Sequence, residues 1–400
     1  MLLCPLDDLR PGMTVGASIM HPERPTMELL RAQTALDERM IRRLADMGVS
    51  EAWVDASGTE DLDLSVMGTE LTDAQRKLFT DLSGALGKTS RKTLSSAQIG
   101  ALTGAVGGFV SQIVANKTNA SLTSRLRGGD DPLFAHCSSV AYLSVLTGLA
   151  IEEYVIEERA SIANVRHAKD LTGLGLAGML HDVGKTTLPP KLRDTHEVNL
   201  DPNAFPPEYE DHTIAGYQLL DSSTIPASAK LAVLLHHERV DGSGWPQASK
   251  LGSRFSETPD GTRLHVFARI LAAANVLDNL LRKAESLKQP PIVALHAFQG
   301  ERFTGWFDPV IRGAMLRQLP PFAVGTKVGL DDGRDCVVVR PNPEYPCRPV
   351  VRPLGGDAST PVIDLSLQPD RLVARASGHP VDNLLYELDA DDSEWCRRAA

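Results

Sequence analysis

The chain has 400 residues, 42% of them hydrophobic and 23% charged, which is long enough for two or three domains and too apolar for wholesale disorder. A formal net charge of −10 argues against coating a nucleic-acid polymer or an anionic membrane, because neither surface attracts a polyanion without a basic patch. Five scattered cysteines without CxxC spacing predict free thiols in a reducing cytoplasm. The start MLLCPLDDLRPG lacks the regions of a secretory signal, and no apolar run reaches the ~18–20 residues of a bilayer span.

Residues 1–65 read as a small α+β module. A Pro-Gly turn in LRPGMTVGASIM opens short apolar segments, and Asp37 is placed to cap a helix carrying Met40, Ile41, Leu44 and Met47 on one face. SEAWVD follows as a short strand. Residues 66–115 look like a loosely helical linker, because Gly100, Gly104, Gly107 and Gly108 argue against an unbroken helix. Across 116–319 the apolar residues recur with helical period, as in SVAYLSVLTGLAIEEYVIEE, LTGLGLAGMLHD and AKLAVLLHHE. Residues 320–388 change to β-rich runs around an Asp-Asp-Gly turn in GTKVGLDDGRDCVVVRPNP, and 389–400 form a frayed tail.

Histidine carries the chemical signal. Seven of the eleven fall between His136 and His237, where an even spread would put about three. His181 and Asp182 end an apolar helix and precede Val183-Gly184-Lys185. His136 lies upstream, and His212 and the pair His236-His237 follow, each predicted on a helix. Imidazoles from four helices plus one carboxylate can converge in a bundle core, as dimetal carboxylate sites do; the alternative is a set of unrelated core histidines. In the loop Asp241-Gly242-Ser243-Gly244-Trp245-Pro246 the glycines permit tight backbone approach. Trp245 there is either a stacking face for a nucleobase or a turn residue. Arg269 is either a partner for an anionic substrate or a structural ion-pair residue.

HDVGK, His212, HHERVDGSGWP and ARILAAANVLD, in that order and closed by FDP, resemble the HD-GYP family of bacterial cyclic-di-GMP phosphodiesterases, a branch of the HD metal-phosphohydrolase superfamily. The resemblance spans roughly His136 to Pro309. It implies a mainly α fold, a helical bundle with a small α+β N-terminal module and a small β C-terminal module. It further implies a signalling hydrolase that opens cyclic-di-GMP to pGpG and/or GMP. Two divalent metal ions (iron, manganese or zinc) would be held by His136, His181, Asp182, His212, His236, His237 and the residue at Asn275. Asp182 would bridge them, and Lys185 would steady the phosphate or the leaving group. Substrate contacts would come from Lys185, Asp241, Gly242, Gly244, Trp245 and Arg269. The cyclic dinucleotide is the expected partner, alongside signalling proteins or a second copy in a homodimer.

Three departures from the family pattern stand out. Asn275 replaces a metal-binding Asp, and a neutral amide is a poorer ligand for a divalent cation; Asp278, one turn later, matches a different family position. Pro132 stands where some members carry a Glu ligand, arguing against a third metal. Leu281-Arg282-Lys283-Ala284-Glu285 replaces a substrate-binding Arg-Pro-Tyr stretch. With Trp245 in place of the signature tyrosine, these departures support an alternative: a degenerate member that binds nucleotide or a partner and signals without efficient turnover.

Overall fold

A computed structural model describes residues 1–22, 24–62, 96–115, 132–160, 164–193, 206–221, 224–246 and 264–388. The expected helical linker before Ser96, the start of the expected 116–319 domain and the 389–400 tail lie outside the described residues. The fold is mainly α, with small sheets toward both ends of the chain.

At the N-terminus, β1 (Leu2–Pro5) pairs antiparallel with β4 (Glu51–Val54), and β2 (Ile19–His21) pairs with β3 (Arg24–Leu30). Between them lies α1 (Glu38–Asp46), capped as its sequence dictates: the Asp37 carboxylate accepts from the Met40 N–H at 2.6 Å.

The bundle comprises α2 (Ser96–Ala115), α3 (Pro132–Ala150), α4 (Glu152–Glu158), α5 (Thr172–Leu180), α6 (Pro207–Asp221), α7 (Ala227–Leu235), α8 (Val266–Ser286), α9 (Pro291–Gln299) and α10 (Pro309–Gln318). The four glycines of α2 do not break it. A Cβ on Gly100, Gly104, Gly107 or Gly108 would meet nothing within 4 Å. The helix is held instead by its other face, where Ile99, Leu102, Val106, Phe109 and Ile113 enter the bundle core. Tertiary burial outweighs the weak propensity of a glycine-rich stretch. Among the described residues no single helix is long and apolar enough to cross a membrane. Four of the five cysteines are described, and all four are free and buried.

The contact between α3 and α5 sets the site. A Cβ on Gly178 would lie 2.4 Å from Ala141 Cα, so only glycine lets the two backbones come this close.

The C-terminal sheet runs β10 (His379–Pro380), β9 (Val373–Ala376), β5 (Lys327–Leu330), β6 (Asp335–Arg340), β7 (Val350–Pro353), β8 (Ile363–Asp364), with antiparallel pairing throughout. Strand β6 alternates between two cores. Cys336 and Val338 join the bundle core, while Val337 joins the core of the N-terminal module. Ionic ties reinforce that second contact: Lys327 reaches Asp8 at 2.8 Å, and Arg352 holds Asp61 through two bonds of 2.7 and 2.8 Å. The N-terminal module and the C-terminal sheet therefore pack on each other, with the sheet lying between module and bundle.

Candidate metal centre

Four helices deliver the histidines, but largely from their ends. His136 lies in α3 and His212 in α6, whereas α5 stops at Leu180 and α7 at Leu235. His181 and His236 are therefore C-cap residues, with Asp182 and His237 just beyond. The sequence reading placed all of them on helices, where adjacent side chains diverge by about 100°. Ending the helix frees the next residue from that rule, so His181 with Asp182, and His236 with His237, can address one centre.

Three imidazoles are fixed in the same way. His181 Nδ1 lies 2.8 Å from Gly178 O, His212 Nδ1 2.6 Å from Tyr209 O and His236 Nδ1 2.8 Å from Val233 O. Each ring donates its Nδ1 proton to the carbonyl three residues earlier, which leaves Nε2 as a bare acceptor. His136 does the same through Asp278, whose Oδ2 lies 2.6 Å from His136 Nδ1. The four Nε2 atoms then face one another in pairs, His136 and His181 at 3.2 Å and His212 and His236 at 3.4 Å. Two lone pairs at that distance repel, and a cation between them converts repulsion into ligation. The donor set fits a divalent metal.

Asp182 lies between the pairs. Its Oδ2 is 3.4 Å from His181 Nε2 and 3.8 Å from His136 Nε2, while Oδ1 is 3.4 Å from His212 Nε2 and 3.8 Å from His236 Nε2. Two groups of donor atoms result, each within 4.8 Å: His136, His181 and Asp182, and His212, His236 and His237. Burial lowers the His181 pKa to about 4 and pulls that of His236 well below its ordinary value. These rings are neutral at physiological pH, the form that binds metal. Lys185 Nζ is 2.7 Å from Asp182 Oδ2 and lies over the Tyr209 ring, 5.2 Å from its centroid. The buried cation thus stands beside the shared carboxylate.

Trp245 differs from expectation. It is 5% exposed, and its indole stacks on His237 with ring centroids 3.8 Å apart and planes 18° apart. One face of the proposed base-stacking surface is thus already taken by an imidazole. Gly244 makes this fold-back possible, since a Cβ there would lie 2.3 Å from His237 O, and Trp245 N–H donates to that same oxygen at 3.3 Å. Gly242 sits in the left-handed region at φ 74°. Asp241 uses Oδ1 to accept the Ser243 N–H at 2.9 Å, an internal turn bond.

Arg269 lies in an ion-pair network. Its guanidinium bonds Asp308 and Glu158 and reaches Tyr154 Oη at 2.8 Å, while its Nε donates to Leu264 O at 3.1 Å. Each guanidinium nitrogen has a partner within the fold, and these are the contacts of the ion-pair alternative. Asn275 is fully buried on α8, and its Oδ1 accepts from Asn279 Nδ2 at 3.1 Å.

Asp278 was missed by the sequence reading as a partner of His136. Burial alone would raise its carboxyl pKa, yet Arg282, whose Nε lies 2.5 Å from Asp278 Oδ2, and His136 together hold it below the ordinary range. The i, i+4 spacing of Asp278 and Arg282 was a legible sign of this pair. The reach to His136, 142 residues away in sequence, was not. Glu238 was also missed; burial raises its pKa to about 7.

An HD-domain family model matches residues 152–311, beginning after His136. A cyclic di-GMP phosphodiesterase of Pseudomonas aeruginosa is 28% identical over 235 residues, covering 58% of this chain and 50% of the relative. A cyclic di-GMP phosphodiesterase response regulator of Xanthomonas campestris pv. campestris is 29% identical over 184 residues, covering 44% of this chain and 41% of the relative. The chain thus spans half or less of the length of these two relatives. A solved HDG"Y"P protein from Bdellovibrio bacteriovorus aligns over 78% of this chain and 97% of its own, at 15% identity and a TM-score of 0.43.

Proposed function

We propose that this chain, whose residues 152–311 match an HD-domain model and which is similar to cyclic di-GMP phosphodiesterases, is a metal-dependent phosphodiesterase of the HD-GYP kind hydrolysing cyclic-di-GMP to pGpG and/or GMP. One observation carries the reading: the two oxygens of Asp182 face two separate histidine groups. A single carboxylate so placed suits two divalent cations. When bound, such cations neutralise a phosphodiester and activate water. Neutral imidazoles held by their Nδ1 protons keep Nε2 directed inward, and Lys185 supplies a buried positive charge beside Asp182. That local charge matters in a chain of net −10, which otherwise repels an anionic substrate. The working unit in this reading is residues 116–319, flanked by the 1–65 and 320–388 modules.

A second reading keeps nucleotide binding without efficient turnover. It is favoured by Asn275, whose amide oxygen already accepts from Asn279. Metal analysis of protein purified anaerobically, paired with chromatography of cyclic-di-GMP products, separates the two. His181→Ala and Asp182→Asn should lose metal while circular dichroism retains the helices. Metal content unchanged in both folded variants would sink the metal assignment. Two ions firmly held with no hydrolysis would favour the binding-only reading.

A further inference from the structure

The loop after His237 is fastened from outside the centre. The Arg239 guanidinium lies 3.3 Å from the centroid of the Trp306 ring, and its Nη1 reaches Ser243 Oγ at 3.0 Å. Val240 and Asp241 donate their N–H groups to Trp306 O and Gly305 O at 3.1 and 3.0 Å. The Asp241 side chain also packs on Gly305, where a Cβ would lie 2.9 Å from Asp241 Oδ2. The loop then returns, and Trp245 lays its indole on His237 and stands nearly perpendicular to the His212 ring, 5.4 Å from it between centroids.

The histidines of this group are held differently. His212 and His236 are anchored by carbonyls of their own helices. His237 lies beyond the end of α7 and takes the stacked indole of the returning loop as a wall. The position of that wall depends on where the loop is fastened.

We propose that Arg239 and Trp306 are positioning residues for His237: their stack fixes the loop, the loop holds Trp245 against His237, and the arrangement sets the affinity of the His212–His236–His237 group for a divalent cation. The proposal rests on the reading that these histidines hold metal. A planar guanidinium on an indole is directional in a way that an ammonium is not, so lysine is a poor substitute here. The effect is also local. The His136–His181–Asp182 group is built on α3 and α5 and fixed by Asp278 and Gly178 O, and it meets the other group through Asp182 and the His181–His236 ring contact, so the effect falls mainly on the His212–His236–His237 group.

Titration of the metal-free chain with Co2+, followed by its visible absorption bands and by calorimetry, tests this. Wild type should take up two ions. Arg239→Met keeps the aliphatic stem but removes the plane. It should weaken one ion by about 10-fold, the lower range for losing a group that orients a ligand, and weaken the other, which shares Asp182, clearly less. Arg239→Lys should not rescue it. Trp306→Phe keeps an aromatic packing unit with a narrower face and carries the same test should Arg239→Met fail to fold. Unchanged affinity for both ions in a folded variant overturns the proposal. Equal weakening of both does so too, because general loosening rather than positioning moves both. A wild type that binds fewer than two Co2+ ions instead fails the two-ion reading on which the proposal stands.

Discussion

Gly178→Ala tests whether the metal centre depends on how closely α3 and α5 approach. The added Cβ would lie 2.4 Å from Ala141 Cα, 2.8 Å from Ala141 N and 2.9 Å from Ala141 Cβ. Ordinary contact begins at 3.4 Å, so the tightest of these falls short by 1.0 Å. Backbone atoms cannot rotate aside as a side-chain tip can, so the helices must separate by about that distance, at a cost of about 1–3 kcal/mol for overpacking. Replacing a mid-helix glycine by alanine recovers about 1 kcal/mol of helix propensity, which offsets only part of the cost. The same movement reaches the ligands directly. Gly178 O accepts the His181 Nδ1 proton, and His181 Nε2 faces His136 Nε2 at 3.2 Å. Metal–ligand distances tolerate about 0.2 Å, so a shift several times larger should weaken ion binding as well as lower the melting temperature. Thermal unfolding of the metal-free chain and calorimetric Co2+ titration measure the two effects separately. Wild-type melting together with wild-type affinity in Gly178→Ala would refute the packing argument.

Gly100→Ala is the matched control: nothing lies within 4 Å of the new Cβ, so the variant should gain about 0.8–1 kcal/mol of helix propensity, and a lowered melting temperature would contradict the placement of that face. Asp278→Asn should retain the fold yet weaken one bound ion by about 10–100-fold, because His136 loses the carboxylate that holds its Nδ1 proton; unchanged affinity in a titration would remove Asp278 from the site. Arg352 holds the Asp61 carboxyl below its ordinary pKa, and a depressed carboxylate contributes stability above its unfolded pKa that is lost as pH falls through the folded value. Arg352→Met should therefore flatten the acid limb of unfolding for the N-terminal module, measured by fluorescence across pH, and an acid limb identical to wild type would show that the pair contributes nothing there.

The sequence alone determined a good deal. Helical periodicity across 116–319, the Asp37 cap, the turn between β5 and β6, and the ordered run HDVGK, His212 and HHERVDGSGWP are local patterns. Local patterns suffice to indicate an HD-type helical bundle and a histidine-rich centre. Other features depended on contacts between distant segments. The length and continuity of α2 came from burial of one face against the bundle, not from its glycine-rich composition. Whether Arg269 meets substrate or Asp308 is a matter of what folds beside it, and Glu158 and Asp308 lie 111 and 39 residues away in sequence. Trp245 reads as an open aromatic face in one dimension, and in three one of its faces is covered by His237, once Gly244 lets the loop fold back. Asp278 became a partner of His136 only when α8 packed beside α3. Periodicity and capping are short-range effects written in neighbouring residues, whereas the orientation of an imidazole or the partner of a guanidinium is decided by packing across the whole chain.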